Sequence, residues 1–215
     1  MDSIIHDLQW RYAVKKFDGE KLLPPKKIEL LKEAFNLTAT SYGLQPISLV
    51  IVQDKALQQK LVAHSFGQQQ VAQASHLLIF CIRTDVDSDY ITRYFDKVGE
   101  IRGTQEEVLA PFKNELIHNF QEKKAEDINR WAINQAYLAM GNLLTVCAIE
   151  KIDACPMEGI QPNAYDHVLG LSGKNLQSVL AMPIGHRALD DMFADFKKVR
   201  KPMEESIIEF KDLTP

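Results

Sequence analysis

The stretch from about Glu126 to Glu150 constrains this chain more than any other. On a helical wheel Ile128, Trp131, Ala132, Leu138, Leu143, Cys147 and Ala148 leave little polar face, and Ala132, Ala136, Ala139 and Gly141 allow another helix to come close. A helix that is apolar nearly all round has to be buried on nearly all sides. With 215 residues the chain can bury roughly 70% of its unfolded surface, so it needs neither disulfide nor metal to fold. One subunit of that size does not readily surround such a helix, so we expect it at the centre of a dimer interface.

The other elements are arranged around it. Ser3 to Trp10 reads as a short helix with Ile4, Ile5 and Leu8 on one face, and Pro24 and Pro25 open a second, with Ile28, Leu31 and Phe35 at helical spacing. Thr38 to Pro46 is a polar loop. Ile47 to Gln53 is a β-branched strand, Lys55 to His64 a helix, and His76 to Arg83 a strand apolar enough to be covered on both faces. A polar connection, Asp85 to Asp89, precedes a helical region from about Gln105 to Lys123. After the long helix come a short strand at Asp153 to Pro156, a helix at Pro162 to Leu169, a turn at Gly170 and Gly173, and a strand at Ser178 to His186. The charged tail from Arg187 ends in Ile207, Ile208 and Phe210, an apolar tip suited to docking on a partner. No linker or repeat divides the chain, so a single domain over residues 1–215 is expected. Helix and strand do not alternate as a βαβ repeat, which favours an α+β fold.

A net charge of −4 and a pI near 5.9 argue against a general nucleic-acid binder but leave room for a local anion site. Met1 to Arg11 is amphipathic, with Asp2 and Asp7, and lacks the basic-then-apolar pattern of a signal peptide. The longest uninterrupted apolar runs, Leu77 to Ile82 and Leu49 to Val52, fall well short of the ~20 residues of a membrane span. A cytoplasmic protein is expected. Cys81, Cys147 and Cys155 form no CxxC and sit in apolar stretches, as buried thiols do. The six histidines show no metal-ligand spacing, and no metal is expected. Dinucleotide, phosphate-loop, HExxH and GxSxG signatures are absent.

What remains is a series of short signals. Arg11-Tyr12-Ala13-Val14-Lys15-Lys16-Phe17 carries cations that can reach one anion, and Lys198-Val199-Arg200-Lys201-Pro202 is a second basic cluster. Each is equally a solvated patch. The planar fork of arginine makes Arg11 and Arg200 better phosphate partners than the lysines. Thr38-Ala39-Thr40-Ser41-Tyr42-Gly43 offers hydroxyls and amides, Gly67-Gln68-Gln69-Gln70 offers amides able to read a heterocycle edge, and Pro156-Met157-Glu158-Gly159 is a turn with exposed main-chain amides.

Taken in order, these pieces resemble the FMN-dependent nitroreductase family, in its oxygen-insensitive NAD(P)H nitroreductase and dihydropteridine reductase branch. The resemblance runs nearly the whole chain. It is carried by Arg11-x-x-x-Lys15-x-Phe17, Gln45-Pro46, Gln68-Gln69-Gln70-Val71 before Ala74-Ser75-His76-Leu77, Trp131 to Gly141-Asn142, Ile152-Asp153-Ala154-Cys155-Pro156-Met157-Glu158-Gly159, and Lys198-x-Arg200. It implies a three-layer α/β/α form of the α+β class. The central sheet would be mainly antiparallel, the long central helix would form the dimer interface, and the C-terminal tail would cross to the partner.

The resemblance also implies FMN as cofactor at the interface of a homodimer, NAD(P)H as reductant, and a small planar electron acceptor. Arg11, Arg200 and Lys198 would hold the phosphate, alongside Tyr12 and Ala13. Lys15 would face the N1 and C2-carbonyl end of the flavin, and Gln68 and Gln70 would bond the pyrimidine. Thr40 and Ser41 would come from the other subunit to contact the flavin or its chain, with Ala39 and Gly43 also among the cofactor-binding positions. The Glu158 amide would donate to N5, with Pro156, Met157 and Gly159 shaping that wall. Lys15 and Glu158 are thus the expected catalytic positions. A cation already in place stabilises the charge of reduced flavin without reorganisation, and the cofactor carries the chemistry. This sequence departs from the family pattern at Ala13, where serine is common, at Gly43, where asparagine is common, and at Ile47, where tryptophan is common. At Gln70 the nearest relatives carry lysine, so this chain has one cation fewer. Two alternatives share the resemblance: a flavin store or sensor without turnover, and a same-fold reductase of enones, pteridines or free flavin.

Overall fold

The computed structural model describes residues 3–211. Met1 and Asp2 of the amphipathic N-terminal segment lie outside the described residues. Helix α1 (Ser3–Trp10) leads through an extended segment to α2 (Pro25–Asn36), where Pro24 and Pro25 supply the preset φ of a helix start. A 3-10 turn at Ser41–Gly43 follows. Next come strand β1 (Ile47–Val52), α3 (Lys55–Ala63), a single turn α4 (Gln70–Gln73) and strand β2 (His76–Arg83).

The antiparallel hairpin of α5 (Ser88–Arg102) and α6 (Glu106–Gln121) precedes the long helix α7 (Ala125–Ile149). Strand β3 (Asp153–Ala154), α8 (Pro162–Leu169), β4 (Leu176–Gly185) and a short α9 (Met203–Ser206) complete the described elements. The sheet runs β1-β2-β4-β3 with every pairing antiparallel.

Strand periodicity explains the layers. Along β2, Leu77, Ile79 and Cys81 join one core with Leu61 of α3 and Tyr165 of α8. Leu78, Phe80 and Ile82 point the other way, to a core with Leu31 of α2 and Ala132, Ala136 and Leu143 of α7. Helices therefore cover both faces of an antiparallel sheet, and β2 reads as an unbroken apolar run because neither face meets water. The three-layer α+β expectation holds. A third cluster joins Leu44 to Ile91 and Phe95 of α5 and Leu116 and Phe120 of α6.

Helix α5 starts within the polar connection expected at Asp85 to Asp89 and runs through residues to which the sequence reading assigned no element. Its buried residues are Ile91 and Phe95, too narrow a stripe to stand out among charges. It is instead defined at its ends, by the Asp87 side chain accepting from the Tyr90 amide and by left-handed Gly103 at φ 64°. Strand β3 stops at Ala154 rather than Pro156, since proline has no amide for the ladder. Met157 then resumes pairing with Ala181. Strand β4 starts at Leu176, two residues earlier than expected.

Helix α7 is long and apolar enough, at a mean hydropathy of 1.3, to cross a membrane by length and composition. Here one face of it forms core instead. The opposite face, with Tyr137 at 45% exposure and Leu138 at 56%, makes an apolar hollow with Asn134, Gly141, Asn142 and Thr145. Within one chain the helix is thus buried on one side only.

Candidate functional site

The segment after α1 runs beside β3. Ala13 bridges Ala154, and the Val14 amide donates to the Ala154 carbonyl at 3.3 Å. Val14 and Phe17 enter the core, which leaves Arg11, Tyr12, Ala13 and Lys15 toward the outside. After β4 the chain returns to this segment. Arg187 stacks between the rings of Trp10 (4.3 Å) and Tyr12 (4.6 Å) and pairs with buried Asp153. Asp191, also buried, accepts from the Tyr12 hydroxyl at 2.9 Å, the Lys15 amide at 3.0 Å and the Phe193 amide at 3.2 Å.

These ties bring Arg11, Tyr12, Ala13, Lys15, Lys198 and Arg200 to one cavity of about 310 Å³, walled by Phe193 and Phe196. The Lys198 ammonium donates to the Arg11 carbonyl. Burial lowers the pKa of the Arg11 guanidinium, and neighbouring Arg200 lowers it further. Lys198 is lowered by burial and then by Arg11, Arg200 and Arg187. Among the described residues no carboxylate pairs with Arg11, Lys15, Lys198 or Arg200. Converging cations without counter-charge repel one another unless an anion joins them.

A second part of the candidate site is the Pro156–Gly159 turn, which lies outside the lining of that cavity. The Glu158 carbonyl accepts from the Ile160 amide at 2.8 Å, while the Glu158 and Gly159 amides donate to nothing among the described residues. The Glu158 carboxylate accepts the Tyr137 hydroxyl at 2.8 Å, a bond that raises the pKa of the phenol. Gln68 Nε2 donates to the Gly159 carbonyl at 3.1 Å, and Gln70 Nε2 donates to Gln68 Oε1 at 3.0 Å. Lys15 Nζ lies 3.9 Å from the sulfur of Cys155. Burial pushes that thiol up, so it stays neutral.

Ala39, Thr40, Ser41 and Gly43 stand apart. Their loop is held by Ser41 donating its amide to Gln135 Oε1 of α7 at 2.9 Å and by Thr40 Oγ1 accepting from the Gln45 amide at 3.0 Å. Within one chain it packs beside α5, α6 and α7 and does not line the cavity.

Four residues with a place at the site escaped the sequence reading. Asp191 and Tyr137 orient the two parts of the site, and Cys155 touches Lys15. Phe66 is 68% exposed at φ 53° and sits beside Gly159. Only Phe66 left a visible signal, a large aromatic beside a glycine in a polar turn.

Comparison with known proteins identifies the family. Residues 8–186 match the nitroreductase family. The chain is 27% identical over 217 residues to the oxygen-insensitive NAD(P)H nitroreductase of Salmonella typhimurium, covering 97% of this chain and 100% of that protein. It is 30% identical over 211 residues to the major NAD(P)H-flavin oxidoreductase of Aliivibrio fischeri, covering 95% and 97%. A solved nitroreductase from Exiguobacterium sibiricum in complex with FMN superposes with a TM-score of 0.82 over 96% of this chain and 97% of that one, at 18% identity. With its fold and a family match over most of its length in agreement, this chain belongs to the nitroreductase family.

Proposed function

We propose that this protein is an NAD(P)H-dependent flavin oxidoreductase that binds FMN and reduces nitroaromatics, quinones or similar planar acceptors. The observation that carries the reading is the convergence of Arg11, Lys15, Lys198 and Arg200 on one cavity with no carboxylate among them. The residues present fit FMN on three counts: cations for a phosphate, side-chain amides at half-buried Gln68 and buried Gln70 for a heterocycle edge, and main-chain donors at Glu158 and Gly159 without a partner among the described residues.

FMN, when bound, supplies hydride acceptance and return. The protein's part is to bind and orient. Arg11 and Arg200 present planar forks to phosphate oxygens, with Lys198 as a point charge beside them. Lys15 would present its positive charge to the pyrimidine end of the flavin, and a cation already in place stabilises negative charge without reorganisation. The Glu158 amide would donate a hydrogen bond to the flavin, and Tyr137 steadies the Glu158 side chain. No nucleophilic side chain is required. Reductant and acceptor would use the same open side in turn, which predicts ping-pong kinetics.

The working unit is a homodimer. In one chain the apolar hollow of α7, the free edge of β1 beside α2, and exposed Ile207, Ile208 and Phe210 of the tail all lack cover. A second copy would cover them and bring Thr40 and Ser41 of the partner subunit to the flavin. The deciding experiment is an absorbance spectrum of the purified protein, followed by anaerobic NADH and NADPH. A flavin spectrum that bleaches supports the reading, and the faster donor names the reductant. A colourless protein that takes up no added FMN overturns it.

A further inference from the structure

We propose that Cys155 is a positioning residue that fixes the Lys15 ammonium. The proposal rests on the FMN-binding role argued above. Lys15 is held at its root by the bond from its amide to Asp191, but its side chain is long, exposed and free of any carboxylate. The Cys155 sulfur is the one hydrogen-bond partner of its Nζ among the described residues. A lysine left to rotate would present its charge over a range of positions and lose much of its use for preorganised stabilisation.

The choice of partner matters. A carboxylate at position 155 would orient the ammonium but also cancel the charge it presents to a ligand. A fully buried thiol, kept neutral by burial, orients the ammonium and leaves its charge intact. The contact is long and weak, as sulfur acceptors are, and the thiol is itself fixed by complete burial. Gln70 is buried and bonds Gln68 at 3.0 Å, and Gln68 reaches the Gly159 carbonyl at 3.1 Å. A Cβ on Gly159 would stand 2.8 Å from Gln68 Nε2, so glycine is what lets this last link close. Residues 70, 68 and 159 are thereby joined, separately from the Lys15–Cys155 contact. Cys155 acts through Lys15 and is a positioning residue.

The test uses the FMN-loaded protein and reads the flavin midpoint potential, the visible spectrum and the rate of anaerobic reduction. Cys155→Ala is expected to lower the potential and slow reduction by roughly tenfold, below the ~100-fold that a 1 Å misplacement can cost. Cys155→Ser, which restores an acceptor, is expected to recover most of the loss. In a Lys15→Ala background Cys155→Ala should add nothing, because its effect passes through the ammonium. A wild-type potential in Cys155→Ala, or an equal shift with and without Lys15, overturns the proposal. Should Cys155→Ala not fold, Cys155→Val removes the sulfur while keeping the buried bulk, with the same expectation and the same overturning result. Wild-type protein that binds no FMN overturns the proposed function itself. Bound FMN with an unmoved potential overturns only the positioning role.

Discussion

Asp191 accepts the hydroxyl of Tyr12 at 2.9 Å, across 179 positions of sequence. The same carboxylate takes the Lys15 and Phe193 amides, so one buried side chain joins the segment bearing Arg11 and Lys15 to the one leading to Lys198 and Arg200. Hydrogen bonds to a charged group are worth roughly 1.5–3 kcal/mol each. Asp191→Ala should therefore raise the FMN dissociation constant by about tenfold or more, read by flavin fluorescence on titration. Unchanged affinity would remove the clamp from the argument.

The same residue predicts an acid limb. Burial alone would raise the Asp191 carboxyl, but the Lys15 amide, the Tyr12 hydroxyl and the Phe193 and Lys16 amides outweigh it and hold the group below its ordinary range. A depressed folded value means the stabilisation is complete above the unfolded value, about 3.9, and is lost as pH falls through the folded one. FMN retention should stay level from neutrality to about pH 4 and drop below that. Asp191→Asn should be weaker at neutral pH and lack this component of the drop. Parallel acid profiles for the two proteins would contradict the assignment.

Arg200→Ala removes a fork from a cavity already short of counter-charge. The expected loss is about 1.5–3 kcal/mol of FMN binding, with thermal stability nearly unchanged because the residue is exposed and without a carboxylate partner among the described residues. Riboflavin, which lacks the phosphate, should bind wild type and variant alike. Equal losses for both ligands would place Arg200 elsewhere than at the phosphate.

Gly43 has φ 72°, and a Cβ there would collide with the Tyr94 hydroxyl of α5. Gly43→Ala should destabilise by roughly 1–3 kcal/mol through backbone strain and the displaced tyrosine. Thermal denaturation of Gly43→Ala beside Gly43→Ala/Tyr94→Phe separates the two causes: recovery in the double variant assigns the cost to the collision, and no recovery assigns it to the backbone.

What could be read from the sequence followed what is periodic. His76–Arg83 declared itself by being apolar on both faces, and α7 by its length. Helix α5 stayed hidden because only Ile91 and Phe95 are buried on it. At the site, the cations were visible as residue types, but any one basic cluster equally suits open solvent. What distinguishes Arg11 and Lys198 is their meeting, and that depends on Asp191, 176 positions from Lys15. Cys155 likewise read as an ordinary core thiol, since its contact with Lys15 spans 140 positions. Contacts of that range leave no mark on local composition.

The exposed face of α7 gives the last prediction. Leu138 is 56% exposed in one chain beside Tyr137, whose hydroxyl steadies Glu158, so the surface proposed to meet a second copy adjoins one part of the candidate flavin site. Leu138→Glu places a charge in the centre of that hollow, where burial against another subunit would leave it unpaired at a cost of several kcal/mol. Wild type should sediment as a dimer, and the variant as a monomer with unchanged far-ultraviolet circular dichroism, because the side chain faces away from its own core. The monomer should also lose FMN, since it would lack Thr40 and Ser41 of the partner subunit. A monomeric variant that keeps FMN at wild-type affinity would confine the site to one chain and leave the Thr40–Gly43 loop without a role in binding.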